Sequence, residues 1–111
     1  MLKVKKKVIS KNPKHINNIF GKALGLMFKN KVKEPLIFIF KKETYVPLHM
    51  WFVFTTIDVI YLDKNKKVIE IKKNFKPFTY YHPKNKARYV IELQKNSITK
   101  FDIKLGQQLS F

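Results

Sequence analysis

The stretch IDVIYLDKNKKVIEI, residues 57–71, decides the fold class of this chain. Ile57 to Leu62 is rich in β-branched and aromatic residues, and its residues alternate in the manner of a strand. Asp63 to Lys66 is polar and predicts a turn, and Val68 to Ile71 predicts the returning strand. The stretch therefore predicts an antiparallel hairpin.

Strand patterns extend over most of the rest of the chain. The N-terminal residues alternate between apolar residues and lysines, as an edge strand does. The apolar run Leu36 to Phe40 predicts a strand that is buried on both faces, and a strand is also predicted over Leu48 to Phe54. Arg88 to Leu93 alternates again, and a final strand is expected over residues 108–111. Phe75 to Lys86 contains two prolines and predicts a long surface loop.

Helical periodicity is clearest near the N-terminus. Asn12 and Pro13 have the residue types of a helix start, and Gly25 is suited to a C-terminal cap. Between them, apolar residues recur at helical spacing: Ile16, Ile19, Phe20, Ala23, Leu24 and Met27. Together the patterns predict a mainly β (α+β) fold, a small single domain over residues 1–111. Its architecture is expected to be a β-barrel-like rolled antiparallel sheet with one N-terminal amphipathic helix.

Composition narrows the classes of protein to which the chain can belong. It has 111 residues, of which 45% are hydrophobic, and it contains no cysteine. This excludes a disulfide scaffold, thiolate zinc sites and cysteine nucleophiles. No apolar run reaches the roughly 18 residues that a membrane span needs, and no signal-peptide pattern follows the basic start. We therefore expect a cytoplasmic protein without a membrane span.

The charge balance is strongly basic, with 24 Lys and Arg against 7 Asp and Glu, for a net charge of +17. One interpretation is a polyanionic partner, most plausibly nucleic acid. The other is a lysine-rich composition without a binding function, since Arg88 is the sole arginine and arginine is preferred for specific phosphate and base contacts. The sequence leaves both open.

Residues 72–88, which we call the basic–aromatic segment, contain the best candidates for an anionic ligand. The segment carries no acidic residue, and aromatic residues are interleaved with its cations, the arrangement that holds single-stranded nucleic acid without sequence readout. The alternative is that the aromatic side chains close one end of the barrel while the lysines coat its exterior. The candidate binding residues are Lys72, Lys73, Lys76, Phe78, Tyr80, Tyr81, Lys84, Lys86 and Arg88.

A second set of residues predicts a small-molecule or peptide pocket. Trp51 and His49 lie on an apolar strand, where they belong either to the core or to the mouth of a barrel. Asp58 and Glu92 lie between apolar neighbours, so a buried carboxylate there needs hydrogen bonds. The candidate pocket residues are His49, Trp51, Asp58, Tyr89 and Glu92.

Catalytic constellations are missing from the sequence. The serines have no acid–base partner nearby in sequence, and His15, His49 and His82 lack metal-ligand spacing. We expect no catalytic residues, no metal and no cofactor, and an enzyme is the least favoured class.

The order and spacing of several motifs resemble those of the DUF192 (UPF0127) family of uncharacterised proteins. The blocks that carry the resemblance are Gly25 to Lys29, Leu36 to Phe40, His49 to Phe52, Ile57 to Asp63, Val68 to Ile71, Lys76-Pro77, Ala87 to Leu93 and Gly106. The histidine-bearing block is similar to that of the archaeal branch. The resemblance implies a compact, mainly β fold of barrel-like shape and no defined reaction. Gln107 departs from the aspartate that commonly follows the glycine.

The function we expect is therefore a non-enzymatic binding or interaction module for an anionic ligand such as nucleic acid. The alternative is a small-molecule or peptide-binding barrel with a pocket near His49, Trp51 and Asp58.

Overall fold

A computed structural model describes residues 1–16, 34–49 and 55–111 of the chain. Within these ranges it contains ten strands and one short helix. The strands are β1 (Leu2–Val4), β2 (Lys7–Ser10), β3 (Lys14–Ile16), β4 (Leu36–Thr44), β5 (Leu48–His49), β6 (Ile57–Leu62), β7 (Val68–Phe75), β8 (Tyr80–Tyr81), β9 (Ala87–Gln94) and β10 (Leu109–Ser110), and the helix is α1 (Ser97–Lys100). The mainly β composition agrees with the strand patterns of the sequence.

A five-stranded sheet forms the centre of the molecule, in the order β3-β4-β9-β6-β7. All neighbours are antiparallel except β3 and β4, which are parallel. The predicted hairpin over residues 57–71 is confirmed as β6 and β7. In its turn, Asp63 Oδ1 accepts hydrogen bonds from the amides of Asn65 (2.8 Å) and Lys67 (3.0 Å). These two bonds stabilise the turn, in which Lys66 adopts a left-handed backbone with a φ of 63°.

Both faces of the central sheet are buried, and each has its own hydrophobic cluster. We call them face A and face B. Face A carries Leu36, Phe38, Phe40, Ile57, Val59, Tyr61, Phe75 and Val90. Face B carries Ile37, Ile60, Leu62, Val68, Ile91 and Leu93. The alternation follows from the strand period of two, so β4, β6 and β9 bury both sets of side chains.

Face B is covered by a second sheet of three strands, in the order β10-β1-β2. This sheet contributes Leu2, Val4 and Leu109 to the cluster, and the region of α1 adds Ile98 and Ile103. Face A is contacted by Val46 and by Tyr81, which lies on the two-stranded β5-β8 sheet. Layers of structure on the two sides thus shield the central sheet.

The predicted β-barrel-like rolled sheet is wrong, because the sheets of the described residues are open. A barrel buries only the inner face of its strands, whereas the apolar runs in β4, β6 and β9 are buried on both faces. Such strands require a covering layer on each side. The N-terminal strand supplies part of that layer. Lys5 turns it back at a φ of 55°, so that β1 and β2 form a hairpin instead of one strand.

The predicted N-terminal helix is also wrong where the structure describes it. Lys14–Ile16 is strand β3, which runs parallel to β4, with Lys14 opposite Leu36. The amide of Lys14 donates to the carbonyl of Pro35 over 2.8 Å. A backbone partner that is distant in sequence therefore overrides the local helical signal at Pro13. Residues 17–27, the rest of the predicted helix, lie outside the described residues.

Two further segments differ from the sequence-based boundaries. The predicted loop from Phe75 to Lys86 contains the short strand β8, which pairs with β5. The strand predicted over Leu48 to Phe54 is described only as Leu48–His49, and residues 50–54 lie outside the described residues. The pairing of β5 with β8 fastens the basic–aromatic segment to the body of the protein.

Candidate functional site

The basic–aromatic segment leaves the central sheet at the end of β7 and returns to it at the start of β9. Phe75 is buried against face A at the departure, and Ala87 is buried at the return. Between these two anchors the chain passes through a residue with a left-handed backbone, Phe78, at a φ of 62°. The segment is therefore a folded arm that is held at both ends.

Glu70, a residue that sequence analysis did not single out, holds the returning half of this arm. It lies on β7 opposite Tyr61 and is only 7% exposed. Its carboxylate accepts a hydrogen bond from the Tyr81 hydroxyl and bonds from the Lys84 amide, at 2.9 Å to Oε1 and 3.1 Å to Oε2. The Asn85 amide and side-chain nitrogen each donate to Oε1 over 3.0 Å. Successive amides directed at one anion form a nest, here occupied by the protein's own carboxylate.

The ionisation of Glu70 and Tyr81 reflects this contact. Burial alone would raise the pKa of Glu70, but the bonds from Tyr81, Lys84 and Asn85 outweigh burial, and its pKa lies below the ordinary value. Burial raises the pKa of Tyr81 to about 12, assisted by the hydrogen bond to Glu70 and by its negative charge. The pair is thus a carboxylate and a neutral phenol at physiological pH.

Tyr81 and Tyr80 point in opposite directions, as neighbours on a strand do. The Tyr81 ring packs at 6.0 Å from the Tyr61 ring and 6.4 Å from the Phe75 ring, and Lys72 Nζ lies 5.4 Å above it. Tyr80 in contrast is 59% exposed. Fixing Tyr81 inward therefore presents Tyr80 to solvent.

Exposed aromatic residues and exposed lysines are interleaved along the sequence of this arm. Phe78 is 54% exposed, and the Tyr80 ring meets His82 edge-on at 5.2 Å. Tyr45 is 55% exposed and carries Lys86 Nζ at 5.7 Å from its ring. Tyr45 lies three residues before Leu48, which pairs with Tyr81 across β5 and β8. We call the exposed set Tyr45, Phe78, Tyr80, Lys73, Lys76, Lys84 and Lys86 the cationic aromatic surface.

Three residues predicted for the anionic ligand make contacts within the protein and are not fully exposed. Tyr81 and Lys72 are half-buried as described above. Arg88 donates through Nε to the carbonyl of Phe40, and its guanidinium lies 5.8 Å from the Tyr89 ring. The Phe40 carbonyl lies where the register of β4 against β9 shifts, between Ile39 and Thr44. The exposed cations of the segment are therefore all lysines.

The described side chains of the predicted second pocket, those of Asp58, Tyr89 and Glu92, lie on different faces of the central sheet. Tyr89 packs with the face B cluster, and Asp58 contacts the start of α1 on that same face. Glu92 pairs with Val59 and Leu36, which belong to face A, so the sheet separates it from Asp58 and Tyr89. The backbone of His49 pairs with Tyr80, and Trp51 lies outside the described residues.

Asp58 is a buried structural carboxylate, 1% exposed. Its Oδ2 accepts from the amide of Ile98 over 2.9 Å, and its Oδ1 accepts from the amide of Asn74 over 3.1 Å. Asn74 has a left-handed backbone, with φ at 51°. Asp58 thus ties the first turn of α1 and a bend of β7 to β6, and its two amide bonds agree with the expectation that a buried carboxylate there needs hydrogen bonds.

Tyr61 is a buried polar residue of face A that, like Glu70, sequence analysis did not single out. Its side chain is fully buried, and among the described residues its hydroxyl has no hydrogen-bond partner. Burial raises its pKa strongly, and the charges of Glu70, Tyr81 and Glu92 raise it further. Its place in the alternation of β6 could have indicated burial, but the sequence contains no signal for the missing partner.

A cleft of about 200 Å³ lies elsewhere, between β2, the start of β4 and α1. Ser10 donates to Glu34 at its rim over 3.1 Å, and none of the predicted site residues lines it. Its volume is below the roughly 300–1,000 Å³ typical of ligand pockets. Across residues 1–16, 34–49 and 55–111, the His, Asp and Glu side chains form no group of three that could hold a metal ion. The same ranges hold no helix with the length and apolar character needed to span a membrane.

Comparison with known sequences places the chain among archaeal proteins. It is 32% identical over 111 residues to a UPF0127 protein of Thermococcus sibiricus, covering 98% of this chain and 71% of that protein. It is 45% identical over 78 residues to a UPF0127 protein of Pyrococcus horikoshii, covering 68% of this chain and 66% of that protein. It is 34% identical over 97 residues to a UPF0127 protein of Pyrococcus furiosus, covering 86% and 82%.

Solved structures share the fold at low sequence identity. A protein of unknown function from Novosphingobium aromaticivorans matches with a TM-score of 0.74 and 20% identity, covering 87% of this chain and 74% of its own. A Sinorhizobium meliloti protein, assigned provisionally as a transcription regulator, matches with a TM-score of 0.72 and 19% identity, covering 78% and 70%. The sequence model of the DUF192 family, described as an uncharacterized ACR, matches residues 14–111. The chain therefore belongs to the DUF192 (UPF0127) family, in its archaeal branch.

Proposed function

We propose that this protein is a non-enzymatic binding module for nucleic acid, and that it holds single strands on the cationic aromatic surface. The observation that carries the proposal is the exposure of Phe78 and Tyr80 in a segment with no acidic residue. Exposed aromatic rings give successive bases a stacking surface, and neighbouring lysines neutralise the phosphates. Stacking needs unpaired bases, so single strands are expected to bind more tightly than duplexes.

The chemistry of the cations favours binding that is tolerant of sequence. Bidentate contacts to base edges are typically made by arginine, and Arg88 is engaged with the carbonyl of Phe40. The lysines of the surface act as point charges on a phosphate backbone. Because nucleic acid of an archaeal cell lies in its cytoplasm, the proposal includes a cytoplasmic location. The Sinorhizobium meliloti protein is assigned provisionally as a transcription regulator, and at 19% identity the likeness concerns the fold.

The test is a titration of a fluorescein-labelled thymidine single strand of about 12 nucleotides, followed by anisotropy between about 50 and 200 mM salt. The Phe78→Ala/Tyr80→Ala double variant is expected to lose at least about tenfold in affinity, with the salt dependence unchanged. The Lys73→Ala/Lys76→Ala/Lys84→Ala triple variant is expected to reduce the log–log salt slope by about 2 units.

The matched control is a triple alanine variant at Lys5, Lys6 and Lys7, which removes the same charge from the exposed β1–β2 hairpin. It is expected to retain more of the slope than the Lys73/Lys76/Lys84 variant does. Equal losses in both triple variants would show that the net charge of +17 binds polyanions without a defined site. An unchanged affinity in the aromatic double variant would refute the stacking surface.

A second candidate function is a pocket for a small polar molecule on face A. The observation that favours it is the buried Tyr61 hydroxyl, which has no hydrogen-bond partner among the described residues. Glu92 belongs to the same face. Tyr81 of β8 packs against face A, and β8 pairs with β5, the strand that contains His49. A ligand there would be bound in a salt-tolerant manner, unlike nucleic acid. Thermal-shift screening of small polar compounds on wild type and Tyr61→Phe distinguishes the two candidate functions. If the pocket exists, a compound raises the Tm of the wild type and does not raise that of the variant.

A further inference from the structure

Glu70 occupies an unexpected position for an acid in a polyanion-binding surface. Its carboxylate lies directly beneath a segment whose own charged residues are all basic. A negative charge there opposes phosphate binding by Coulomb's law. If charge alone governed affinity, removal of Glu70 would strengthen binding.

The contacts of Glu70 suggest a different role. It contacts two parts of the arm. It binds β8 through the Tyr81 hydroxyl, and it binds the turn after β8 through the Lys84 and Asn85 amides. These residues bracket His82 and Pro83, so a single carboxylate closes the turn on the sheet. The nest of amides and the half-buried Tyr81 ring leave Tyr80 directed to solvent, two residues after the exposed Phe78.

We propose that Glu70 is a positioning residue that pre-organises the cationic aromatic surface for single-stranded nucleic acid. This inference rests on the proposed function. In the absence of the carboxylate charge, the bonds that fix Tyr81, Lys84 and Asn85 weaken, and the ligand must order the aromatic rings as it binds. The free-energy cost of ordering these side chains and the loop then makes the binding free energy less favourable.

The experiment compares Glu70→Gln with wild type in the same anisotropy titration. The variant keeps the volume of the side chain and one acceptor oxygen, but a neutral amide oxygen accepts the Lys84 and Asn85 bonds more weakly than the carboxylate does. It also raises the net charge by one. Positioning predicts that affinity falls about three- to tenfold. Charge alone predicts the opposite sign, an increase of about two- to fivefold.

The matched control for charge is Asp102→Asn. Asp102 lies next to Ile103 of the face B cluster, and its ion pair with Lys104 is exposed. Its φ of 51° suits asparagine, so the variant should fold normally while adding the same charge. Its affinity is expected to remain within about twofold of wild type.

Hydrogen exchange of the Lys84 and Asn85 amides supplies a readout that does not depend on the ligand. Glu70→Gln is expected to exchange faster at both amides, with the exchange of the central strands β6 and β9 unchanged. If Glu70→Gln unfolds globally, Tyr81→Phe serves instead, because it removes one hydroxyl and keeps both amide bonds. Its affinity is expected to fall about threefold, with an unaltered salt slope.

The outcomes separate this inference from the proposed function. A wild-type protein that binds no single strand at any salt concentration refutes the proposed function, and the positioning role with it. A wild-type protein that binds, combined with a Glu70→Gln variant that binds equally well or more tightly, overturns the positioning role alone. Unchanged exchange at Lys84 and Asn85 overturns it as well, because the carboxylate then does not order the arm.

Discussion

Replacing Asp58 with asparagine tests how a buried carboxylate secures this fold. Each Asp58 oxygen has its own amide partner, Ile98 at 2.9 Å and Asn74 at 3.1 Å. Asparagine has one acceptor oxygen, so its amide nitrogen must face one of the two backbone N–H groups. The oxygen is expected to stay with the Ile98 amide, which is more deeply buried, and the Asn74 amide then loses its partner.

The size of the effect follows from these two changes. Loss of charge weakens the retained bond by about 1 kcal/mol, and the orphaned amide costs about 1–2 kcal/mol more. We therefore expect Asp58→Asn to lower the free energy of unfolding by about 2–3 kcal/mol. For a domain of this size, that corresponds to a fall in Tm of roughly 10–20 °C.

The assay is urea denaturation at neutral pH, followed by the circular dichroism of the sheet, with Asp63→Asn as a matched control. Asp63 uses a single oxygen, Oδ1, for both of its amide bonds, at 2.8 and 3.0 Å. Asparagine can reproduce that arrangement, so the control should lose less than about 1 kcal/mol. Equal losses in the two variants would show that the second acceptor oxygen of Asp58 does not stabilise the fold, because Asp58 and Asp63 differ in how many oxygens accept bonds.

Two further predictions concern face A. Tyr61→Phe removes a buried hydroxyl that has no partner among the described residues, so the free energy of unfolding should be unchanged or rise by up to about 1 kcal/mol. A fall of more than about 1 kcal/mol in urea denaturation would reveal a bond to this hydroxyl. Because the folded-state pKa of Glu70 is lowered, its stabilisation is present above the ordinary glutamate pKa of about 4.3 and is lost as pH falls through the folded value. Glu70→Gln should therefore lose less stability than wild type on acidification below about pH 4.3 in a pH series of denaturation curves, and parallel pH profiles would contradict the contribution of Glu70.

Local sequence patterns predicted the central strands well, because the alternation of side chains that indicates a strand lies within that strand. The hairpin over residues 57–71 is confirmed, as is the burial of Leu36–Phe40. In β9, Tyr89, Ile91 and Leu93 face one side and Val90 the other, as the alternation indicated. Strand periodicity is a property of neighbouring residues, so it is visible without a structure.

The sequence could not show which strands would pair or what would cover them. The segment that starts at Pro13 has helical spacing, yet Lys14–Ile16 pairs with β4 through partners about twenty residues away. The expectation of a barrel-like rolled sheet similarly required one sheet to curl around a single core, whereas the two buried faces of the central sheet are covered by separate layers. Contacts distant in sequence decide such questions, and local periodicity carries no information about them.

The candidate site divides along the same line. Composition and motif order alone identified the family and the acid-free segment of residues 72–88, because these are properties of the chain itself. The tertiary structure decided which of its side chains are exposed: it turned Tyr81 and Arg88 to structural contacts and left Phe78 and Tyr80 on the surface. It also placed Glu70 beneath the arm, because hairpin register and the fold of the arm, rather than proximity in sequence, bring a carboxylate to the amides that it binds.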